Sequence, residues 1–264
     1  MNCSKIIDIH AHIFPEKIAQ KATESIGNFY GIPMSGKGTI EDLLEQGNKV
    51  NVYRYVVHST ATKVEQVESI NEFISQMQLS DERIIGFGTL HPDLPDVQKE
   101  VDRLVSLGLK GIKLHPDFQQ FNIDDETMMP IYKAAEGRLP ILVHMGDARS
   151  TASSPGRLAK VLDRFQGLTV IAAHLGGYSR WDESFQYLVG RNLYFDTSSS
   201  LWILDKSKAV DIIRKHGVKK VLFGTDYPMW NYEEELKRFE SLNLTQEEQE
   251  LILWKNAAEL LNII

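Results

Sequence analysis

The sequence predicts a (β/α)8 barrel of the TIM type, and three observations carry that expectation. Short β-branched runs alternate with longer segments of helical period. The alternation continues through eight units at a spacing of roughly 30 residues, the rhythm of strands and helices wound into a closed parallel barrel. Seven of the eight histidines fall in the last residues of the candidate strands, where barrel enzymes carry their chemistry. A doubly wound sheet is the alternative architecture. It more often has five or six strands and wants a glycine-rich first βα turn, and the turn here reads HAHIFPEK.

The candidate strands, in order, are 5–12 (KIIDIHAH), 53–60 (YRYVVHST), 84–92 (IIGFGTLHP), 111–116 (GIKLHP), 140–146 (PILVHMG), 168–177 (LTVIAAHLGG), 192–198 (NLYFDTS) and 219–228 (KKVLFGTDYP). Helical periodicity places helices at 63–79, 96–107, 125–137, 156–166, 179–189 and 206–216, with a last one at 245–262. Val97, Val101, Leu104 and Val105 form the apolar stripe of the second of these. Gly108, Gly137, Gly167 and Gly217 each stand just past a helix, as C-cap glycines do. The stretch 13–52 is too long for one helix. Within it, NFYGIPMSGKG (28–38) reads as a loop over the barrel mouth, equally a substrate lid or a surface decoration.

Composition bounds the function. The chain has 264 residues, 42% hydrophobic and 25% charged, enough for one barrel-sized domain over 1–264 as well as for two small ones. A net charge of -7 gives no electrostatic case for nucleic acid or an anionic membrane. No run approaches the ~20 apolar residues of a membrane span, and MNCSKIIDIH lacks the core of a signal peptide. The single cysteine, Cys3, excludes an intramolecular disulfide and lies too far before the first strand to act as a nucleophile. A cytoplasmic protein acting on a small molecule is the expectation.

The chemistry starts at DIHAHIFP (8–15). Alternation along a strand points His10 and His12 the same way, so both can face the barrel axis and share a divalent ion. An ordinary pair of core histidines is the competing reading. Asp8, on the same face, is a candidate acceptor for an imidazole N–H, or else a buried ion-pair partner. Further ligands are to be sought at other strand ends: His144 and His174 each follow a buried apolar run, and Asp226 is the carboxylate ending the eighth strand. In a closed barrel the eighth strand pairs with the first, which brings Asp226 beside His10 and His12. A buried carboxylate is costly alone, and a cation would neutralise it.

These motifs, DIHAH, VHMG, AHLGG and GTDYP in this order, together with GIKLHPDFQ (111–119) and NLYFDTSS (192–199), resemble the amidohydrolase superfamily across essentially the whole chain. The similarity is to its single-metal branch, which includes aminocarboxymuconate-semialdehyde and γ-resorcylate decarboxylases. The resemblance implies a (β/α)8 barrel and metal ligands at His10, His12, His144 and Asp226. It implies that His174 acts on the substrate or its water, and it suggests a homodimer. The family's hydrolytic, decarboxylating and hydrating activities leave the reaction open.

The leading expectation is a hydrolase. A single divalent ion, Zn2+ first and Mn2+ second, activates water; Asp226 accepts the proton, and His174 polarises the substrate carbonyl. The alternative is a non-oxidative decarboxylase on the same residues, with Arg149 or Lys113 clamping a carboxylate. Lys113 could instead be carboxylated to hold a second ion. His115, held extended by Pro116, is a further substrate-contact candidate, and His58 and His91 are weaker ones. Arg149 could equally pair with Asp147, and Trp202 and Tyr227 either wall the pocket or pack loops. A barrel kept only as a binding scaffold is the reading from outside enzymology.

Overall fold

The computed structural model describes residues 5–263, so Cys3 lies outside the described residues. Eight strands form one sheet in sequential order: β1 (Ile6–His12), β2 (Val52–His58), β3 (Ile84–Thr89), β4 (Gly111–Leu114), β5 (Ile141–Val143), β6 (Val170–Ala172), β7 (Tyr194–Asp196) and β8 (Val221–Leu222). Every neighbouring pair is parallel. The ring closes where Ala11 bridges Tyr227. There the Ile9 amide donates to the Phe223 carbonyl at 3.0 Å and the Asp226 amide to the His10 carbonyl at 2.9 Å. This is the (β/α)8 barrel the alternation predicts, and the closure joins the two strands expected to share the site.

The helices are α1 (Glu16–Tyr30), α2 (Ile40–Asn48), α3 (Val67–Ser80), α4 (Val97–Ser106), α5 (Pro116–Gln119), α6 (Met129–Ala135), α7 (Pro155–Arg164), α8 (Trp181–Tyr187), α9 (Lys206–His216), α10 (Tyr232–Glu240), α11 (Gln246–Glu250) and α12 (Asn256–Leu261). A π-helical turn over Leu251–Lys255 joins the last two into one run. No helix among the described residues is long and apolar enough to cross a membrane.

Two apolar layers hold the barrel. Inside it, Ile7, Ile9, Val56, Phe87, Leu142 and Ile171 meet one another and the α12 residues Ala257 and Leu261. Outside it, alternate strand residues such as Val57, Ile112 and Ala172 pack against the helices. Each strand is therefore buried on both faces, which is why its sequence reads as a nearly unbroken apolar run. Polar residues that interrupt those runs, among them Asp8, His10, Lys113 and Asp196, are buried with them and must find partners inside.

Several boundaries differ from the sequence reading, each for a local reason. β3 ends at Thr89 and the strands after it are only two to four residues long, so His91, His115, His144, His174 and Asp226 stand beyond strand ends, in the loops at the barrel mouth. Residues 28–30 belong to α1, and the loop proper starts at Gly31, whose φ of +68° ends the helix. Gly108, Gly137 and Gly217 have positive φ as expected, but Gly167 does not, because α7 already ends at Arg164. Val105 is exposed, and the buried stripe of α4 is Val97, Val101 and Leu104.

Candidate metal centre

β1 builds the first part of the site. A register shift between Asp8 and Ala11 lets His10 face inward beside Ile9, and it stands with His12, their Nε2 atoms 3.2 Å apart. Asp226 Oδ1 lies 3.2 Å from His10 Nε2 and 3.3 Å from His12 Nε2. Three donors on a tetrahedral ion at about 2.0–2.1 Å would stand about 3.3–3.5 Å apart, so this triangle has the dimensions of one face of a coordination shell. The His10 nitrogen also faces the Lys113 ammonium at 2.8 Å, and neither imidazole is charged. Burial and the nearby Lys113 ammonium pull His10 down to about 4, against the pull of Asp226 and Asp196, and burial lowers His12 as well. Both imidazoles are therefore neutral near pH 7, as ligands must be. Burial alone would raise Asp226, but His10, His12 and His174 hold it well below the usual carboxylate range.

Behind the triangle stands a carboxylate that sequence reading did not single out. Asp196, at the end of β7 and fully buried, lies with Oδ2 2.9 Å from His10 Nδ1. Its Oδ1 accepts from the His174 amide at 3.0 Å, the Ser198 amide at 3.1 Å and Ser198 Oγ at 2.5 Å. Those donors keep Asp196 ionised, which places the His10 proton on Nδ1 and turns the Nε2 lone pair toward the triangle. Asp196 thus fills the role expected of Asp8. Asp8 instead accepts from the His10 amide, from Thr225 Oγ1 at 2.6 Å and from Tyr232 Oη at 2.6 Å, and burial lifts it to about 6. Its task is to tie β1 to the segment after β8 and to α10. The rule that found the histidines, polar residues at strand ends, would also have found Asp196 in NLYFDTSS.

His174 and His144 meet one another, Nε2 to Nδ1, at 2.9 Å. His174 falls within 4.8 Å of both His10 and Asp226 by its ligand atom, whereas His144 groups with His115 and Asp117. His144 Nε2 is buried without a hydrogen-bond partner. By ligand atom His174 stands within reach of His10 and Asp226, and His58 within reach of His10 and His12, while His144 lines the same small space as His12 and Asp226. His174, Ser199 and Asp226 all adopt left-handed backbone conformations, with φ of 62°, 48° and 60°. Strain of this kind, about 1–3 kcal/mol per residue, persists only where the surroundings impose it, and it collects at functional sites. Gly146 serves the same corner: a Cβ there would stand 2.6 Å from the Gly177 backbone, so the loops after β5 and β6 can touch.

The remaining candidates divide. Lys113 is fully buried with Nζ 2.8 Å from His10 Nε2, and burial pulls it to about 8. His58 packs edge-on against His12 with ring centroids 4.4 Å apart, and neither of its nitrogens has a partner. His115 stacks on His144 at 4.0 Å; its Nδ1 accepts from the Phe118 amide, so Nε2 carries the proton and meets Tyr30 Oη at 3.2 Å. Tyr30, from the last turn of α1, is a site residue that the loop assignment concealed.

Arg149 is committed to Asp147, with Nε 2.9 Å from Oδ1, and lies over the Phe29 ring, half exposed. His91 accepts from the Asp93 amide, and Tyr227 is buried with Oη 2.6 Å from Asp42, packing the loop before α2. Trp202 stacks against Trp230 at the rim.

Comparison with known proteins gives the family and the fold. A family model described as Amidohydrolase matches residues 7–263. The decarboxylase orsB of Emericella nidulans is 28% identical over 127 residues, which is 40% of this chain and 38% of that protein, so the match spans well under half of the relative's length. Among solved structures, 5-carboxyvanillate decarboxylase from Sphingomonas paucimobilis superposes with a TM-score of 0.79 at 15% identity, covering 99% of this chain and 100% of the other. A dihydroxybenzoic acid decarboxylase from Polaromonas sp. JS666, holding manganese and the inhibitor 2-nitroresorcinol, superposes with a TM-score of 0.76 at 18% identity, covering 98% and 97%.

Proposed function

The chain belongs to the amidohydrolase family, and from that premise we propose that it is a metal-dependent, non-oxidative decarboxylase of a hydroxylated aromatic acid. The observation that carries this reading is the buried cation beside the ligand triangle: Lys113 Nζ, 2.8 Å from His10 Nε2, gives a carboxylate a counter-charge that a hydrolase does not need. Decarboxylases among both the sequence relatives and the structural neighbours support it over the hydrolase that motif reading alone put first.

In this reading His10, His12 and Asp226 would hold a divalent ion, Mn2+ or Zn2+, and His144 would be the fourth ligand. When bound, the ion supplies a positive charge that anchors and polarises an oxygen-bearing substrate. Asp226 is ionised, so it acts first as a base. It takes the proton of a substrate hydroxyl and passes it to the ring carbon that bears the carboxylate. The bond from that carbon to CO2 then breaks, its electron pair restores the aromatic ring, and the resulting phenolate takes a proton from water. Ser199 Oγ, 2.5 Å from Asp226 Oδ2, steadies the carboxylate during the transfer. His174 and the Nε2–H of His115 orient the substrate's oxygens.

The test is a panel of 2,6-dihydroxybenzoate, 5-carboxyvanillate and small lactones, given to protein loaded with Mn2+ or Zn2+ and followed for both CO2 and acid release. CO2 release from an aromatic acid is the expected result. Acid release from a lactone without CO2 restores the hydrolase, a class also present among the structural neighbours. Stoichiometric metal with no turnover of any compound favours the scaffold reading.

A further inference from the structure

The space directly over the ligand triangle is small. A chamber of about 30 Å3 is bounded by His12, Tyr30, His115, His144 and Asp226, enough for a group the size of one or two oxygens. Beside it lies a cavity of about 600 Å3 between α1 and α3. The two share three walls, His12, Ile26 and Phe118, so whatever reaches the triangle from the larger cavity passes those side chains. The larger cavity is walled mainly by Phe14, Ile18, Ile26, Ile70, Phe73 and Phe118, and no lysine or arginine lines it. Its volume lies within the range of about 300–1,000 Å3 that receives drug-sized ligands, well beyond the needs of a single-ring acid.

From this geometry we infer that the substrate carries a sizeable apolar substituent, an alkyl chain or second ring, which occupies the cavity between α1 and α3 while its polar head reaches the ligand triangle. The inference rests on the proposed function only for the placement of the head. It explains two features that the chemistry at the triangle does not use. Ile18 is 51% and Phe29 is 41% exposed although both stand on the cavity's rim, an apolar margin that otherwise costs solvation. The β2–α3 segment, which forms the far wall, borders the cavity with small residues, Ser59, Thr60 and Thr62, and leaves its volume open.

The test uses Mn2+-loaded protein and two probes built on the ring of the inhibitor held by the Polaromonas neighbour: resorcinol and 4-hexylresorcinol, titrated calorimetrically. A methylene moved from water into an apolar site gains about fourfold in affinity, so a hexyl chain in the cavity improves binding by about 100-fold or more. Ala22→Trp, which fills the cavity from α1, and Ser69→Trp, which fills it from α3, each reduce that ratio below about fivefold, while Ala22→Ser preserves it. Two variants on opposite walls keep the test decisive if one of them fails to fold. A wild-type ratio under threefold, no binding of the hexyl compound, or a ratio that survives both tryptophans in folded protein overturns the inference. Failure of the decarboxylase reading shows separately, as absent CO2 release with the affinity ratio intact.

Discussion

Asp196→Asn tests the site at the residue sequence reading missed. The side chain keeps its shape, so the outcome depends on which end of the amide faces which partner. Oδ1 of Asp196 receives three donors, the amides of His174 and Ser198 and the Ser198 hydroxyl. An asparagine must present its carbonyl oxygen to them, because its NH2 would collide with three N–H or O–H groups. The NH2 then faces His10 Nδ1, now 2.9 Å from Oδ2. That nitrogen has to accept, so the His10 proton moves to Nε2 and the lone pair that completes the ligand triangle is lost. Loss of a carboxylate behind a metal-bound histidine costs about 10–100-fold in metal affinity, or about 1.4–2.7 kcal/mol. Competition against a fluorescent chelator measures this for Zn2+ and Mn2+, and a melt of the ion-free protein reports whether the fold survives. An affinity within twofold of wild type, in protein that melts normally, would refute the claim that Asp196 sets the His10 tautomer.

Other perturbations divide the site into its parts. His10→Ala and His12→Ala should each lose most of the bound ion, read by elemental analysis, together with the rise in Tm that added ion gives wild type; stoichiometric ion in either would dissolve the triangle. His174→Ala should keep near-stoichiometric ion and lose about 100-fold or more in rate, while His144→Ala should lose ion, and the opposite pattern would exchange their roles. Tyr30→Phe removes the hydroxyl facing His115 and should raise KM by about threefold to tenfold with ion binding unchanged; an unaltered KM would show that Tyr30 does not meet substrate. Ion-free protein should lose stability on acidification. His10 titrates at 6.5 unfolded and at about 4 folded, so the unfolded chain takes its proton first, and the stability present above pH 6.5 drains away toward pH 4. Asp226 extends the loss below 3.8, while Asp8, raised from 3.8 to about 6, partly offsets it within that window. A Tm that stays flat or rises between pH 7 and 4.5 would contradict this sign.

The barrel was legible because its strands are buried on both faces. A strand such as LTVIAAHLGG can tolerate a polar residue only where a partner waits, so a histidine after an apolar run already marks the mouth of the barrel. Strand closure then follows from topology: once β8 pairs with β1, Asp226 must lie beside His10 and His12, and the contacts of 3.2 and 3.3 Å bear this out. The orientation of side chains beyond the strand ends was not legible. His144 and His174 follow equivalent apolar runs in loops of similar sequence, and periodicity stops where the strand stops. Their positions depend on left-handed turns at His174 and Gly146, with φ of 62° and 83°, which no alternation rule encodes. Arg149 shows the same limit, since a guanidinium suits a substrate carboxylate and a neighbouring aspartate equally well, and Asp147 two residues away takes it.

The same division separates what the site holds from what it converts. Metal capture requires only that three donors stand about 3.3–3.5 Å apart around one point, a condition set by the register of β1 and the closure of the barrel. Reaction type depends on what approaches that point. Lys113 belongs to the rigid side of this division, locked on β4 with no exposure, and it keeps a buried amine at the centre whatever the loops do. Tyr30, Phe29 and Phe118 belong to the adaptable side, carried on α1 and on the four-residue α5. A change of side chain on such elements leaves the barrel and the triangle undisturbed. It follows that exchanging the α1 segment 16–38 for that of a relative should move substrate preference and leave the metal affinity of His10, His12 and Asp226 in place.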